Sequence, residues 1–408
     1  MKNTAFKAAD ILLPRVSDLK RWSVVACDQY TSEREYWDAV EAYVGKYPST
    51  LRLVLPEIYL GKADTGARIK SINKNIREYM AAGVFEEYKN AMIYVERVQS
   101  DGRVRRGLIG AIDLEEYDFR PGSRSQVRAT EATVIERIPP RLEIRRDADI
   151  ELPHIMILID DPAESVIDPF AKKTASLTKL YETDLMGGGG SISGYLLKDD
   201  DIAAVESALE KLGEGAEMLF AMGDGNHSLA TAKAHYEALK QAHPNEDMSN
   251  HPARYALCEL VNLRSEALEF EAIHRIVKVD DPYKFIIEMS LKLELSGVPS
   301  GQHVRIHRNF SARDLYIQQP LSKLAVGSIQ AFIDDYIREN GGEVDYIHGE
   351  DTLRRLATED TIGFEFEPMR KEELFPAVIA DGSLPRKTFS MGHAADKRYY
   401  LEARKIVK

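Results

Sequence analysis

Residues 219–239, LFAMGDGNHSLATAKAHYEAL, place two glycines between an apolar run and an alanine-rich segment. The apolar residues 218–222 predict a short buried strand, and Leu229, Ala232 and Tyr236 recur at the spacing of one helix face. Glycine lets the backbone turn sharply between the two elements. The sequence therefore predicts a strand–turn–helix junction, and with it a fold that combines a sheet with covering helices.

The turn has the residues of an anion-binding site. The first N–H groups of a helix point outward with a partial positive charge, and Gly223 and Gly225 allow an anion to approach them. Ser228 can cap the helix or donate its hydroxyl to a phosphate oxygen. Asp224 can bind Mg²⁺ or accept a proton from a hydroxyl nucleophile, and His227 can act as acid, base or hydrogen-bond donor. The alternative is an ordinary tight turn whose Asp and Asn side chains satisfy local backbone groups.

Helical and strand patterns alternate along the rest of the chain. The segments with helical spacing are 31–48, 67–85, 199–213, 281–293 and 326–340. The first opens with Ser32 and Glu35 spaced as a capping box, and in the second Ile69, Ile72, Ile76 and Tyr79 form one stripe. The segments with strand character are 91–98, 106–114, 154–160, 254–263, 270–279, 344–349, 361–367 and 397–406. We therefore expect a mixed α/β fold, with residues 1–265 forming one region and residues 266–408 a second.

The glycine run Gly187–Gly190 is the only low-complexity stretch. Four consecutive glycines cannot hold one backbone conformation cheaply, so the composition predicts a mobile loop. A phosphate cradle is the alternative, but no lysine follows as in a P-loop and no strand-to-helix frame surrounds the run.

Composition limits the partners of the protein. A formal net charge of −12 over 408 residues argues against general nucleic-acid binding, which needs clustered cations facing the phosphates. No apolar run is long enough to span a membrane, and no signal peptide is evident. Cys27 and Cys258 form no metal-type pair and suit a reducing compartment, so we expect a cytoplasmic protein. The amino-acid sequence does not indicate an oligomeric state.

Five ordered segments resemble those of a prokaryotic family catalogued as domain of unknown function 1015. They read RGLIGAIDLEEYD, VRATEATVIERIPPRLEIR, FAMGDGNHSLATA, LVNLRSEALEFEAIHRIV and GSLPRKTFSM. The third segment is also similar to a segment of ParB-like proteins, sulfiredoxin and nucleotide-dependent free serine kinases. That resemblance implies a ParB/sulfiredoxin-like core with a C-terminal α/β extension, and a turn that contacts the phosphates of ADP or ATP.

The chain departs from the family pattern in the turn itself. Asn226 stands where the family usually has histidine, and Ser228 where it usually has arginine. A serine hydroxyl cannot reproduce the two-pronged grip of a guanidinium on phosphate. Phosphate affinity must therefore come from other groups or be reduced.

The second segment offers such groups. Arg128, Thr133 and Arg141 are candidates for phosphate binding, and Arg137 lies among them. Glu131 keeps the family's carboxylate and is a candidate general base or Mg²⁺ ligand, although a lone loop glutamate is usually just solvated.

Candidates in the remaining segments have strong structural alternatives. Lys387 and Thr388 suit a phosphate or carboxylate, but an exposed turn explains them almost as well. His274 and Arg275 lie in a predicted strand, where a histidine is more often a hydrogen-bonded structural group than a substrate contact. Asp28 can orient a substrate amine or cap its neighbour.

The resemblance and the residues together predict a nucleotide-dependent kinase. Its acceptor is expected to be a small hydroxyl metabolite such as free serine. In this scheme Asp224 or Glu131 binds Mg²⁺, the other carboxylate takes the hydroxyl proton, and Arg128, Arg141 or Lys387 offsets charge on the transferred group. The alternatives are a nucleotide-binding switch without catalysis and a phosphoester hydrolase.

Overall fold

The computed structural model describes residues 4–120 and 122–408. Contacts within the chain group it into two compact units. Unit 1 comprises the described residues up to Ala129 together with residues 133–268 and 392–408, and unit 2 comprises residues 130–132 and 269–391. The expected division into residues 1–265 and 266–408 differs from this grouping, because the last segment returns to unit 1.

Unit 1 contains the following elements. Its strands are β1 (Phe6–Lys7), β2 (Ala9–Pro14), β3 (Phe85–Val98), β4 (Val104–Asp113), β5 (Tyr117–Asp118), β6 (Val127–Arg128), β7 (Ile150–Glu151), β8 (Met156–Ile159), β9 (Thr178–Asp184), β10 (Ser191–Leu197), β11 (Phe220–Asp224), β12 (Tyr255–Asn262) and β20 (Arg404–Lys405). Its helices are α1 (Leu19–Trp22), α2 (Arg34–Val44), α3 (Thr65–Ala81), α4 (Ile138–Arg146), α5 (Asp200–Leu212) and α6 (Asn226–Ala242).

One large sheet organises unit 1. Its strand order is β5-β6-β11-β8-β12-β4-β3-β10-β9, with β1 paired to β4 and β2 to β3, while β7 and β20 form a separate pair. Along β3, Ile93 and Val95 join one apolar cluster, whereas Met92 and Tyr94 join another. Because successive side chains point to opposite faces of a strand, both faces of the sheet are covered.

The helices bury the apolar side chains that the sequence pattern predicts, but one predicted helix cap is not formed. In α3 the buried side chains include Ile69, Ile72 and Ile76, which confirms the predicted stripe. In α2 the N-cap is Glu33, whose side chain makes no capping hydrogen bond. The predicted capping box at the start of this helix is therefore wrong, because the helix begins too late for it.

The glycine run forms the turn of the β9–β10 hairpin. Gly187, Gly188 and Gly190 have φ values of 65°, 77° and 72°, a region that side-chain-bearing residues rarely enter. The carbonyl of Gly189 accepts a hydrogen bond from the buried Arg97 Nε at 3.0 Å. The run therefore forms a defined turn, and the mobility that its composition predicts stays a prediction.

Buried charges hold residues 392–408 against the sheet of unit 1. Glu259 Oε1 accepts a hydrogen bond from Arg105 Nε at 3.2 Å, and its Oε2 lies 3.6 Å from Arg398 Nε. The guanidinium of Arg97 donates to two backbone carbonyls of the same segment. Of the predicted strand 397–406, residues Arg404–Lys405 form β20, and Tyr399 and Ala403 form isolated bridges to Val25 and Leu12, so backbone hydrogen bonds hold this segment together with its side chains.

Unit 2 is built on a second sheet. Its strands are β13 (Phe270–Lys278), β14 (Leu295–Ser296), β15 (Gln302–Arg308), β16 (Ser311–Ile317), β17 (Glu343–His348), β18 (Thr361–Glu365) and β19 (Phe389–Met391), and its helices are α7 (Pro282–Lys292), α8 (Ala325–Asn340), α9 (Glu350–Leu356) and α10 (Leu374–Asp381). The strand order is β14-β16-β15-β18-β13-β17, with β19 paired to β13.

Aromatic packing joins helices and sheet in unit 2. The ring of Phe285 in α7 lies 5.2 Å from that of Phe332, 4.8 Å from Tyr336 and 6.2 Å from Phe364. The expected mixed α/β class is confirmed in both units. Within the described part of the chain, we find no helix with the length and apolarity that a membrane crossing requires.

Candidate functional site

The predicted strand–turn–helix junction is present in unit 1. Strand β11, which includes Gly223, ends at Asp224, and α6 begins at Asn226, so Gly225 alone separates them. Gly225 has φ 78° and ψ 28°, and a Cβ there would lie 3.0 Å from Cα of Ile155. Only glycine readily adopts this conformation in this space. Gly225 therefore directs the chain from the strand into the helix.

Replacing Gly225 with Ala should destabilise the protein by about 2 kcal/mol or more, because left-handed backbone strain adds to the contact with the β8 side of the turn. Gly61→Ala is the matched control, since Gly61 has φ 74° and open space around it. Urea unfolding of both variants measures the difference. Equal losses of stability would show that the space at the turn is not tight.

The first turn of α6 presents groups suited to an anion. Its leading N–H groups have no acceptor inside the helix, and the helix dipole adds partial positive charge. One interpretation of the sequence predicted Ser228 as the N-cap of α6. This is wrong, because Gly225 is the N-cap. The Nε2 atom of His227 is buried and has no hydrogen-bond partner among the described residues. Buried polar atoms are rarely left unpaired, so this nitrogen is available to water or to a ligand.

Asp224 is fixed at the end of the strand. Its Oδ1 accepts a hydrogen bond from the Gly225 N–H at 2.9 Å, and its Oδ2 lies 3.2 Å from Lys397 Nζ. The side chains of both Asp224 and Lys397 are largely buried. The ion pair therefore places one carboxylate and one ammonium directly beside the turn.

Two arginines add positive charge on the α4 side. Arg141 pairs with Glu57 and donates a hydrogen bond to the carbonyl of Arg137 at 2.8 Å. Burial, and after it the charges of Arg141 and Arg137, lowers the pKa of His227 to about 4. The imidazole is therefore neutral near pH 7, and the cationic field around it favours an anionic ligand.

Asp28 belongs to the same site. Its Oδ2 lies 3.4 Å from Nε2 of the buried His154, whose Nδ1 lies 2.8 Å from the Tyr400 hydroxyl oxygen. Burial by itself favours the neutral forms, but the mutual attraction of this pair outweighs burial. It lowers the pKa of Asp28 and raises that of His154, with Lys397 also lowering the pKa of Asp28. Asp28 is therefore charged and oriented, as a substrate contact requires.

The titration of His227 provides a test of this environment. An unfolded histidine binds a proton near pH 6.5, whereas folding holds the pKa of His227 at about 4. Stability from the neutral imidazole is thus full above pH 6.5 and is lost as the pH falls toward 4. NMR of the imidazole should show this low pKa, and inorganic phosphate should raise it. A pKa near 6.5, unchanged by phosphate, would contradict the site.

A second group of predicted residues meets in unit 2. The carboxylate of Glu131 accepts hydrogen bonds from the backbone N–H groups of Lys387 and Thr388. Burial raises the pKa of Glu131 despite these bonds and the nearby charges of Lys387 and Arg275. A carboxyl with a raised pKa is a better proton acceptor than an ordinary one. Because Asp224 belongs to unit 1, a joint role for the two carboxylates stays a prediction.

Two other predicted residues of unit 2 have structural partners. Arg275 is fully buried and donates to Gln330 Oε1 at 2.7 Å and to several backbone carbonyls, including that of Lys387. Nδ1 of His274 accepts a hydrogen bond from the Phe366 N–H at 3.2 Å. Both arrangements argue against the predicted contacts with substrate, because the polar atoms of these side chains already organise the strand and loop.

The remaining phosphate-binding candidates differ in their surroundings. Arg128 is buried and donates to two backbone carbonyls at 3.1 and 2.9 Å, which argues against its predicted contact with phosphate. The hydroxyl of Thr388 likewise donates to the Pro385 carbonyl at 2.7 Å. The buried Oγ1 of Thr133 has no hydrogen-bond partner within the described residues.

The residues do not form a ready Mg²⁺ site. In residues 4–120 and 122–408, no group of three or more His, Cys, Asp or Glu side chains is placed to hold a metal ion. Both carboxylate oxygens of Asp224 already have partners in Gly225 and Lys397. Protein-bound Mg²⁺ usually takes one or two carboxylates plus phosphate oxygens. The protein groups alone do not fit the ion, so Mg²⁺ stays a prediction.

Sequence reasoning missed three residues of this site. Lys397 and Tyr400 lie in a segment without a recognisable motif, and their neighbours gave only strand character. His154 was visible as the polar start of the apolar run HIMILID, but nothing in the sequence linked it to Asp28. Pairings between distant segments are set by the tertiary fold, which a local pattern does not report.

The fold defines a mixed α/β protein with a strand–turn–helix junction between β11 and α6. The family model described as "Protein of unknown function (DUF1015)" matches residues 6–405. The chain belongs to this family. A comparison with curated proteins finds no match.

Several solved structures are similar over much of the chain. SbnI with a C-terminal truncation from Staphylococcus aureus is 8% identical, with 70% of this chain and 82% of that chain covered at a TM-score of 0.37. A conserved hypothetical protein from Pyrococcus furiosus is 11% identical, with 73% and 94% covered at 0.36. A free serine kinase in complex with AMP is 11% identical, with 73% and 90% covered at 0.38. The ParB/sulfiredoxin-like core stays a prediction.

Proposed function

We propose that unit 1 binds the phosphates of ADP or ATP at the β11–α6 junction and transfers a phosphoryl group to a small hydroxyl metabolite such as free serine. The observation that carries this proposal is the unpartnered, buried Nε2 of His227 at the start of α6. The charges of Arg141 and Arg137 act on this imidazole, and Lys397 lies beside Asp224 at the start of the turn. A helix N-terminus with additional donors and cations is the arrangement that proteins use for phosphates.

The reaction assigns a task to each group. The acceptor hydroxyl oxygen forms a bond to the terminal phosphorus, the bond from that phosphorus to the bridging oxygen breaks, and the nucleotide leaves with the electron pair. The hydroxyl proton passes to a carboxylate, for which Asp224 is in place beside the turn. Arg141 and Arg137 offset charge on the transferred group. Asp28, held charged by His154, would orient an amino group of the acceptor.

The roles proposed for unit 2 depend on further tests. Glu131 is the second carboxylate of the scheme, with a raised pKa that suits proton transfer. Lys387 is its neighbouring cation. If Glu131 acts in the reaction, Glu131→Gln will lower the rate without weakening nucleotide binding to unit 1. Unchanged turnover in this variant would remove unit 2 from the mechanism.

A nucleotide-binding switch without catalysis is the second candidate. It is favoured by Ser228, which lacks the grip that an arginine would exert on the transferred phosphate. A slow or absent reaction with intact nucleotide binding would support it. A phosphoester hydrolase would use the same groups with water as acceptor.

A direct assay tests the proposal. The purified protein is incubated with ADP or ATP, Mg²⁺ and a panel of hydroxy amino acids, and phosphorylated products are sought by mass spectrometry. Calorimetry of the same mixtures measures nucleotide binding separately. Product formation supports the kinase, binding alone supports the switch, and the absence of both removes the proposed function. The cytoplasmic location and the absence of membrane and nucleic-acid partners stay predictions.

A further inference from the structure

An apolar cavity of unit 1 adjoins the proposed phosphate site. Its volume is about 150 Å³. The walls are mainly branched aliphatic side chains, among them Leu53, Leu55, Ile72, Ile76, Ile144 and Leu152. Ser228 and Thr231 from the first two turns of α6 also line it. The cavity and the anion-directed turn therefore share one helix end.

The charged side chains in the cavity wall are already paired. Arg141 pairs with Glu57, and Arg145 Nη2 lies 2.6 Å from a carboxylate oxygen of Glu151. His154 is likewise paired with the carboxylate of Asp28 and hydrogen-bonded to the hydroxyl of Tyr400. A charged group inside the cavity would have to displace one of these pairs, which is costly in a buried place. The occupant of the cavity itself is therefore neutral and apolar.

Size limits the occupant further. An engineered cavity of about 150 Å³ lined by similar side chains in another protein stays dry and binds benzene. The side chain of free serine is far smaller and would leave most of the space empty.

We infer that the ligand of unit 1 carries an aromatic ring or branched aliphatic group of roughly six heavy atoms in this cavity, next to an anionic group held at the α6 turn. Only one part of this inference, the anionic group at the α6 turn, rests on the proposed function. The ring can be part of a nucleotide base or part of the acceptor. In either case burial of the ring should tighten binding about tenfold or more over the bare anion.

Cys27 provides a readout that needs no activity. It lines the cavity and is partly exposed, whereas Cys258 is fully buried. Iodoacetamide should therefore alkylate Cys27, while reaction at Cys258 would report unfolding. We expect saturating phenyl phosphate to slow alkylation of Cys27 at least about tenfold, because the ring excludes the reagent, and inorganic phosphate to slow it less than about twofold.

Variants and ligand pairs locate the effect. Ile144→Phe fills the cavity from a partly exposed wall position and should abolish protection by phenyl phosphate. Ile287→Phe, an identical change at an exposed site in unit 2, should leave protection intact. Protection by AMP but not by phenyllactate assigns the ring to the base, and protection by phenyllactate assigns it to the acceptor.

The two proposals fail differently. If inorganic phosphate binds by calorimetry and raises the pKa of His227, but no ring compound protects Cys27, the cavity inference is overturned and the phosphate site stands. If ring compounds protect Cys27 equally in wild type and Ile144→Phe, the inference is also overturned. If ring compounds protect Cys27 while neither phosphate nor nucleotide binds, the cavity is supported and the proposed function fails.

Discussion

Replacing Asp224 with Asn should lower kcat for phosphoryl transfer about a hundredfold or more, the usual contribution of a positioned proton acceptor. Asn keeps an oxygen for the Gly225 N–H but cannot take the proton of the acceptor hydroxyl. Nucleotide affinity should stay the same or rise, because one negative charge beside the phosphates is removed. Steady-state kinetics and calorimetry measure the two effects separately.

Asp247→Asn is the matched control for this change. Asp247 is exposed, and its Oδ1 accepts a hydrogen bond from the Ser249 N–H at 2.9 Å, so its local geometry is comparable. The control should keep the activity of the wild type. Full turnover by Asp224→Asn would remove Asp224 as proton acceptor and leave only its ion pair with Lys397.

Replacing Glu259 with Ala should destabilise the protein by about 3–5 kcal/mol, the range for breaking a buried ion pair. Arg105 and Arg398 both face this carboxylate, and all three side chains are almost fully buried. Burial by itself raises the pKa of Glu259, but the two guanidinium groups outweigh burial and lower it. Without Glu259 the buried Arg105 loses its carboxylate partner, and the buried Arg398 keeps only Glu402 as a counter-charge.

Chemical unfolding of Glu259→Ala and Glu86→Ala provides the measurement. Glu86 pairs with Arg15 at 3.4 Å on the surface, so its removal should change stability by less than about 1 kcal/mol. A similar small loss in Glu259→Ala would mean that water or a neighbouring acid replaces the missing charge.

The sequence predicted those parts of the fold that local pattern determines. The stripe of Ile69, Ile72 and Ile76 lies buried as expected, because burial of one helix face follows directly from spacing. The β11–α6 junction is present for the same reason, with Gly225 in the backbone conformation that only glycine readily adopts. The start of α2 was misjudged, because a capping box is defined by only two residues and the helix boundary shifted past them.

The site was predicted less completely than the fold. The turn, Arg141 and Asp28 were candidates from local chemistry, and the structure brings them together in unit 1, while their roles stay predictions. The sequence does not reveal that nearby backbone carbonyls accept hydrogen bonds from the Arg128 guanidinium, so its role in phosphate binding stays a prediction. The Asp224–Lys397 pair was not visible at all, since two segments far apart in the chain meet only after folding.

The position of Lys397 in the chain has a consequence for synthesis. A ribosome reaches this lysine only after all of unit 2 has been made, although Asp224 emerges much earlier. The Asp224 carboxylate of the nascent chain therefore lacks its Lys397 partner until residues 392–408 dock on the sheet. The proposed phosphate site should therefore be complete only after that final step, and we expect partial translation products to bind nucleotide less tightly than the full chain.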